Sequence, residues 1–320
     1  MKIEKFTTWI KVSRKYTRIT WQRNFTPKQN QEAEIIFVMI PGNPGNDKFY
    51  DHFGERILEV MADNQFHIPT EFYSISHLNH VELPNHLRDE SDIKHDDLFL
   101  LNDQITHKFN YFMEYMPKKT PIILMGHSIG SYMALKILPQ LIENGFNVVK
   151  VLGLFPTIEQ MALSPNGVRV GGALAFFDNH ATLTKILLSW LWLLPDFFKR
   201  FIIRLKFRDP LVPECVVQSA MEIVSSSVVR NIMHLANNEL QIVKLHDDSL
   251  FLNEHRDRIL LYYGTTDQWV PAQLAEEQAA RLGRSCVFLD NDGCEHAFVI
   301  RDGEVMARTV VSLIEQFLKT

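Results

Sequence analysis

The sequence predicts an α/β protein with a doubly wound, mostly parallel sheet that carries a helical insertion. Short, almost wholly apolar runs recur along the chain, as in strands buried on both faces of a parallel sheet. Segments with the apolar spacing of helices separate these runs. Residues 156–257 break the alternation, and a structureless loop of that length is uncommon in a compact domain. We therefore expect a core formed by residues 1–155 and 258–320, with a helical cap at 156–257.

The composition excludes several classes of protein. Of the 320 residues, 46% are hydrophobic and 22% are charged, which is ordinary globular usage and excludes a wholly disordered chain. The net charge is −5, so the chain lacks the overall positive charge that is typical of proteins with a nucleic-acid partner. Three scattered cysteines indicate a reducing compartment. Charged residues interrupt residues 1–15, which do not resemble a secretory signal.

The strands are predicted in order along the chain. Residues 7–25 are expected to supply antiparallel edge strands at the start of the sheet. The later candidates are short apolar runs that end in turn-forming or polar residues: 34–40, 66–74, 121–125, 148–155, 258–264 and 285–289. Parallel strands of this kind are joined by right-handed crossovers through helices.

The helices of the core are predicted from apolar residues that recur at helical spacing. They are expected at residues 49–61, 96–115, 131–142 and 304–317. Pro139 lies inside the third of these segments and is expected to kink or interrupt it.

The motif Gly-His-Ser-Ile-Gly at residues 126–130 lies between a predicted buried strand and a predicted helix. A strand, tight turn and helix are the context of a nucleophile elbow, where the serine hydroxyl projects above the sheet. The helix N-terminus behind it favours developing negative charge. Ser128 is therefore the candidate nucleophile, and the alternative is a Gly-rich turn that contains a serine by chance.

A serine hydroxyl needs a base, and in this kind of fold the order along the chain is Ser, then an acid, then His. His296 follows the last predicted strand and is the candidate base, with His246 and His255 as rivals in the charged end of the insertion. Asp267 follows strand 258–264 at its carboxyl end and is the candidate acid that orients the imidazole. Asp292 is its nearest competitor.

An acyl-transfer site also needs two backbone donors for the oxyanion. The first is the N–H that follows the nucleophile, which belongs to Ile129. The second is expected in the loop Pro-Gly-Asn-Pro-Gly at residues 41–45, after strand 34–40. Pro44 has no N–H, so we expect Asn43 to supply this donor.

These residues give the chain a resemblance to the α/β-hydrolase superfamily and, more narrowly, to the lipid droplet-associated hydrolase family. The shared segments are loop 41–45 with Phe49 and Tyr50, the elbow 126–130, and the stretches 263–271 and 295–298. The resemblance covers essentially the whole chain and implies a catalytic triad of Ser128, Asp267 and His296. It further implies hydrolysis of hydrophobic lipid esters, of cholesteryl ester or acylglycerol type, at lipid droplets and the cytosolic face of the endoplasmic reticulum.

A segment of the insertion, residues 186–207, combines an apolar run with a basic cluster. Residues 186–194 are apolar almost all round but too few to span a bilayer core of about 30 Å. They could form one arm of a shallow helical hairpin broken at Pro195. The candidate residues for contact with a droplet monolayer or membrane surface are Trp190, Trp192, Phe197, Phe198, Lys199 and Arg200. Alternatively, the segment is a lid that buries its apolar surface against the core.

The sequence therefore predicts a serine ester hydrolase that needs neither a metal nor another cofactor. Neither a Gly-x-Gly-x-x-Gly nor a P-loop motif is present, and the histidines at 77, 80 and 86 lack a clear metal-ligand spacing. Two alternatives remain open. The chain could be a droplet-associated organiser or tether with weak or no turnover, or an acyltransferase in which an alcohol captures the same acyl-enzyme.

Overall fold

An eight-stranded sheet runs through the molecule in the order β1-β2-β4-β3-β5-β6-β7-β8. The computed structural model describes residues 2–26, 32–88, 94, 96–243 and 247–319. The strands are β1 Glu4–Val12, β2 Lys15–Arg23, β3 Ile35–Ile40, β4 Thr70–Ile75, β5 Ile122–His127, β6 Val148–Leu154, β7 Ile259–Tyr263 and β8 Val287–Leu289. The order is that of a doubly wound sheet, which confirms the predicted fold class.

Strand direction follows the predicted scheme with one correction. The six strands β3 to β8 pair in parallel with their neighbours among themselves. Strand β2 is antiparallel to both β1 and β4. Of the two early strands, β1 lies at an edge of the sheet and β2 does not, so the expectation that both are edge strands was wrong for β2. The strands β3 and β5 are buried along their whole length, which explains their almost unbroken apolar sequences.

Eleven helices are present in the described part of the chain. They are α1 Asp51–Asp63, α2 Asn85–Arg88, α3 Leu101–Tyr115, α4 Ile129–Glu143, α5 Pro165–Asn179, α6 Ala181–Leu193, α7 Asp196–Lys206, α8 Glu214–Ile223, α9 Ser226–Ile242, α10 Ala272–Leu282 and α11 Gly303–Leu318. Helix α3 begins five residues later than predicted, because the Asp103 carboxylate accepts a hydrogen bond from the Leu100 N–H and closes a cap there. Helix α4 continues through Pro139 to Glu143, so the expected interruption does not occur.

Helices cover both faces of the sheet and enclose two apolar cores. On one face α3, α4 and α10 pack their apolar residues against the strands. On the other face α1 and α11 pack against each other and against β3 and β4. With both faces covered, the polar loops at the strand ends are the parts of the core that can face a ligand.

The five helices α5 to α9 lie between β6 and β7. Helix α9 contacts α3, α5 and α6, whereas α7 packs mainly on α8. Helices α6 and α7 meet at Pro195, where a broken hairpin was expected. Within the described residues, no helix combines the length and the apolar character needed to cross a bilayer.

Candidate active site

Three loops, at the carboxyl ends of β5, β7 and β8, carry Ser128, Asp267 and His296 in that order and bring them together. The Ser128 Oγ lies 3.0 Å from His296 Nε2, and His296 Nδ1 lies 2.6 Å from Asp267 Oδ2. An ionised carboxylate accepts the Nδ1–H, which leaves the Nε2 lone pair free to accept the serine proton. Ser128 is 9% exposed, so this relay is largely shielded from water.

Ser128 occupies a sharp turn between β5 and α4. Its φ of 52° and ψ of −124° lie outside the regions that L-residues favour. The turn needs glycine on both sides: a Cβ at Gly126 would lie 2.4 Å from the Gly130 carbonyl oxygen, and one at Gly130 would lie 2.2 Å from the Ile40 carbonyl oxygen. These close approaches allow the helix to start directly against the end of β3 and lift the serine above the sheet.

Asp267 is held by the loop that follows β7. Its side chain is fully buried, and its Oδ1 accepts hydrogen bonds from the backbone N–H groups of Trp269 at 2.7 Å and Val270 at 3.1 Å. The Oδ2 remains for His296. The carboxylate is therefore fixed in one orientation before any proton moves.

His127, the variable residue of the elbow motif, joins three loops of the site. Its Nε2–H donates to the carbonyl oxygen of His296 at 2.8 Å, and its Nδ1 accepts from the Tyr50 hydroxyl at 2.7 Å. The Tyr50 oxygen in turn accepts the N–H of Gly42 at 3.0 Å. Burial, with a contribution from His296, lowers the pKa of His127 to about 3, so the ring stays neutral and the bonds keep these directions.

The loop at 41–45 packs directly beside the serine, and a Cβ at Gly42 would lie 3.0 Å from Ser128 Cβ. The two prolines of the loop have no N–H. The N–H of Gly42 donates to Tyr50, and that of Gly45 donates to the Gly42 carbonyl oxygen. Among the described residues, none accepts the remaining N–H of this loop, which belongs to Asn43. Ile129 opens α4 beside Ser128, where helix N–H groups have no partner within the helix.

The two rivals that the structure describes, Asp292 and His255, do not join this arrangement. Asp292 is exposed, whereas the neighbouring Asp290 is buried and accepts bonds from Tyr262 and from the Cys294 N–H, which anchors the loop that carries His296. His255 precedes β7 and therefore lies at the amino ends of the parallel strands, whereas the candidate site lies at their carboxyl ends. His246 lies outside the described residues.

A comparison with models of protein families shows the family to which this chain belongs. The model described as lipid-droplet associated hydrolase matches residues 33–299, which is most of the chain. The chain belongs to the lipid droplet-associated hydrolase family. Among its relatives, the lipid droplet-associated hydrolase of Drosophila melanogaster is 30% identical over 303 residues, covering 93% of this chain and 94% of the relative. The Mus musculus protein of the same name is 30% identical over 309 residues, with 92% and 89% covered.

Solved structures agree on the fold. The peroxisomal α/β-hydrolase of Saccharomyces cerevisiae matches with a TM-score of 0.56 and 14% identity, covering 99% of this chain and 90% of that one. An identity this low speaks for the α/β-hydrolase fold alone. The lipid droplet-associated hydrolase family and this fold together support a hydrolase.

The residues expected to contact a lipid surface lie on α6 and α7 and in the turn between them. Trp190 is 53% exposed and Phe197 is 75% exposed, and Phe198 and Arg200 are exposed as well. Lys199 is largely covered and lies 3.5 Å from the Asp196 carboxylate. The side chain of Trp192 lies outside the part of this chain that the structure describes.

Histidines 77 and 80 are buried beneath the loop at 41–45. His80 Nδ1–H donates to the Pro44 carbonyl oxygen at 2.7 Å, and the His77 ring packs against Gly45. Among the described residues, no three His, Cys, Asp or Glu side chains are placed to hold a metal ion.

Two functional candidates, Tyr50 and His127, were missed as site residues by sequence reasoning. Both lie inside segments that carry the family resemblance, Tyr50 after the 41–45 loop and His127 within the elbow. That position was the available signal, but it gives no information on which atoms meet.

Proposed function

We propose that this chain is a serine hydrolase of hydrophobic lipid esters, with Ser128, His296 and Asp267 as its catalytic triad. The observation that carries the proposal is the hydrogen-bonded relay, with 3.0 Å between Ser128 Oγ and His296 Nε2 and 2.6 Å between His296 Nδ1 and Asp267 Oδ2. Those distances are within the reach of a proton transfer from nucleophile to base.

In the proposed reaction, Ser128 Oγ attacks the ester carbonyl carbon while His296 Nε2 takes the hydroxyl proton. Asp267 holds the Nδ1–H and stabilises the imidazolium that forms. The imidazolium then gives its proton to the departing alcohol, which leaves an acyl-enzyme. A water molecule then gives a proton to the same imidazole and attacks the acyl carbon. The bond from the acyl carbon to Ser128 Oγ breaks, the imidazolium returns the proton to Oγ, and the carboxylic acid leaves.

The negative charge that develops on the carbonyl oxygen needs donors on the other side of the serine. We assign them to the backbone N–H groups of Ile129 and Asn43. Donors of this kind contribute about 3–4 kcal/mol each to transition-state stabilisation. Support comes from the N-terminal position of Ile129 in α4 and from the uncommitted N–H of Asn43 in a loop that touches Ser128.

We propose a lipid surface as the place of action: a droplet monolayer or the cytosolic face of the endoplasmic reticulum. The exposed apolar side chains of α6 and α7, such as Trp190, Phe197 and Phe201, suit a shallow insertion between lipid headgroups. Basic residues along α7 would face the headgroups. Cholesteryl esters and acylglycerols are the substrate classes, consistent with the droplet association in the relatives' names.

Fluorophosphonate labelling of the purified protein tests the triad, with Ser128→Ala and His296→Ala as matched variants. We expect label on Ser128 in the wild type, none in Ser128→Ala, and strongly slowed labelling in His296→Ala. Turnover of a cholesteryl ester and a triacylglycerol emulsion, with and without an added alcohol, then separates hydrolysis from acyl transfer. Absence of labelling in the presence of lipid emulsion contradicts the proposal.

The exposed apolar surface of α6 and α7 favours a second candidate, a droplet organiser that acts by binding lipid rather than by turnover. Both candidates need this surface, so its deletion does not separate them. Ser128→Ala does: a cellular lipid phenotype that survives this substitution supports the organiser, whereas its loss supports the hydrolase.

A further inference from the structure

The loop that carries the Asn43 N–H is held from two sides. On the core side, the Tyr50 hydroxyl accepts the Gly42 N–H, and His80 donates to the Pro44 carbonyl oxygen. On the other side the contacts come from the cap. The position of this loop therefore depends on an element of the fold that is separate from the sheet.

The cap contact is made by the side chain of Asn43 itself. Its Nδ2 donates to the carbonyl oxygen of Ile232 at 2.9 Å and to Glu239 Oε1 at 3.2 Å. Ile232 and Glu239 both belong to α9 and lie about two helical turns apart. Two acceptors on one helix fix the direction of the amide and, through it, the peptide that bears the Asn43 N–H.

The burial of the Glu239 carboxyl group has a free-energy cost. Glu239 is 1% exposed, and a buried carboxyl is costly unless it is hydrogen-bonded. Burial raises its pKa to about 8, and the bond from Asn43 opposes that shift, so the group is mostly protonated at neutral pH. A neutral carboxyl accepts the Asn43 amide as a glutamine would, without placing a full negative charge beside the site.

A second cap helix, α8, binds the segment that follows the loop through a hydrogen bond and an ion pair. Glu222, near the end of α8, accepts a hydrogen bond from Asn46 Nδ2 at 2.7 Å and lies 3.3 Å from Lys48 Nζ. It also pairs with Arg18 of β2, whose guanidinium binds the buried Asp47. The segment from residue 43 to residue 48 is thus tied to α8 and α9 together.

We infer that the cap sets the geometry of the oxyanion-binding loop, with Glu239 and the Ile232 carbonyl as positioning groups that act through Asn43. This inference rests on the proposed hydrolase function. It makes catalytic competence depend on where α9 sits, so that a movement of the cap changes transition-state stabilisation without any change in Ser128, His296 or Asp267.

The test compares Glu239→Ala with Glu239→Gln and with Gln241→Ala, an exposed control two residues further along α9. Two measurements are made on each full-length protein: turnover of a soluble p-nitrophenyl ester, and hydrogen exchange of the peptide that covers residues 41–48. For Glu239→Ala we expect kcat to fall by about ten- to hundredfold with KM changed less than about twofold, together with faster exchange in that peptide. Glu239→Gln keeps the acceptor and is expected to retain both properties, as is Gln241→Ala.

Glu239→Leu serves if the alanine variant does not fold, because it fills the space but cannot accept the Asn43 amide. Unchanged kcat and unchanged exchange in the alanine or leucine variant would overturn the inference. A fall in thermal stability alone, with kcat intact, would also overturn it, since a purely structural role gives that result. If the wild type neither labels at Ser128 nor cleaves esters, the hydrolase proposal fails, and the exchange data still decide whether the cap holds the loop.

Discussion

Asp267→Asn is the sharpest test of the proposed proton relay, because the structure dictates how the new amide would lie. The backbone N–H groups of Trp269 and Val270 both point at Oδ1. An asparagine oxygen can replace Oδ1, whereas an asparagine NH₂ there would face two donors and lose two hydrogen bonds, at about 1 kcal/mol or more each. The amide therefore turns its NH₂ toward His296.

That orientation forces the wrong tautomer on the base. His296 Nδ1 must then accept a hydrogen bond from the amide N–H, so the ring's own proton resides on Nε2 and points at Ser128 Oγ. The nitrogen that should receive the serine proton is already protonated. A wrong tautomer of this kind lowers kcat by about 10⁴-fold, which corresponds to about 5.5 kcal/mol in the activation barrier.

The assay is steady-state turnover of a soluble ester, with urea unfolding in parallel. We expect the free energy of unfolding to change by less than about 1 kcal/mol, since the bonds to Oδ1 persist. Asp292→Asn is the matched control, an exposed acid in the loop that carries His296, and its kcat should stay near that of the wild type. An Asp267→Asn enzyme that keeps more than about a tenth of wild-type kcat would refute the relay.

Three further predictions follow from the same contacts. Tyr50→Phe removes the hydroxyl between the loop amide and the elbow histidine; we expect urea unfolding to show a loss of about 2 kcal/mol, and an unchanged value would mean that the bridge adds nothing. The raised pKa of Glu239 contributes stability that is fully present below about pH 4.5 and is lost as the pH rises through about 8. Glu239→Gln should therefore flatten the fall in unfolding free energy between about pH 5 and about pH 9, and parallel curves for the two proteins would contradict this. The double change Phe197→Ser and Phe201→Ser should reduce co-flotation with a phospholipid-coated triglyceride emulsion, whereas Met113→Ser, an exposed control on α3, should not; equal flotation would count against the lipid-surface proposal.

Much of the core could be predicted because a strand that is buried on both faces of a sheet has a short, almost wholly apolar sequence. The strands β3 and β5 consist almost wholly of apolar residues, and a turn or the elbow ends each of them. The neighbours of β2 could not be predicted, because strand pairing is decided by contacts far apart in the chain. Helix α10 was not predicted, since Leu274 and Leu282 are its only large apolar residues and the others are mostly alanine, glutamate and glutamine.

The candidate site divides in the same way. The residues of the proposed triad, Ser128, Asp267 and His296, follow strands at their carboxyl ends, and the order of strands along the chain was enough to suggest that they meet. The residues that hold them are different. The bond between Tyr50 and His127 joins residues 77 positions apart, and that between Asn43 and Glu239 joins residues 196 apart. Such pairs have no spacing rule, so they emerge only from the folded structure.

The strained turn at Ser128 is held in place by the sheet. Its conformation costs about 1–3 kcal/mol and persists only where the surroundings enforce it. Here the Ser128 N–H donates to the Leu154 carbonyl oxygen at 2.9 Å, and the Ser128 carbonyl accepts from Ser131 and Thr157. Relaxing the turn would break its bonds to β6 and the loop that follows, so the sheet keeps the hydroxyl aimed at His296 whether or not substrate is bound. The opposite wall, formed by the loop at 41–45, is held both by residues of the core and by helices of the cap. On the inferred dependence of this loop on α9, a lipid surface that displaces the cap would act on the site through the loop rather than through the elbow.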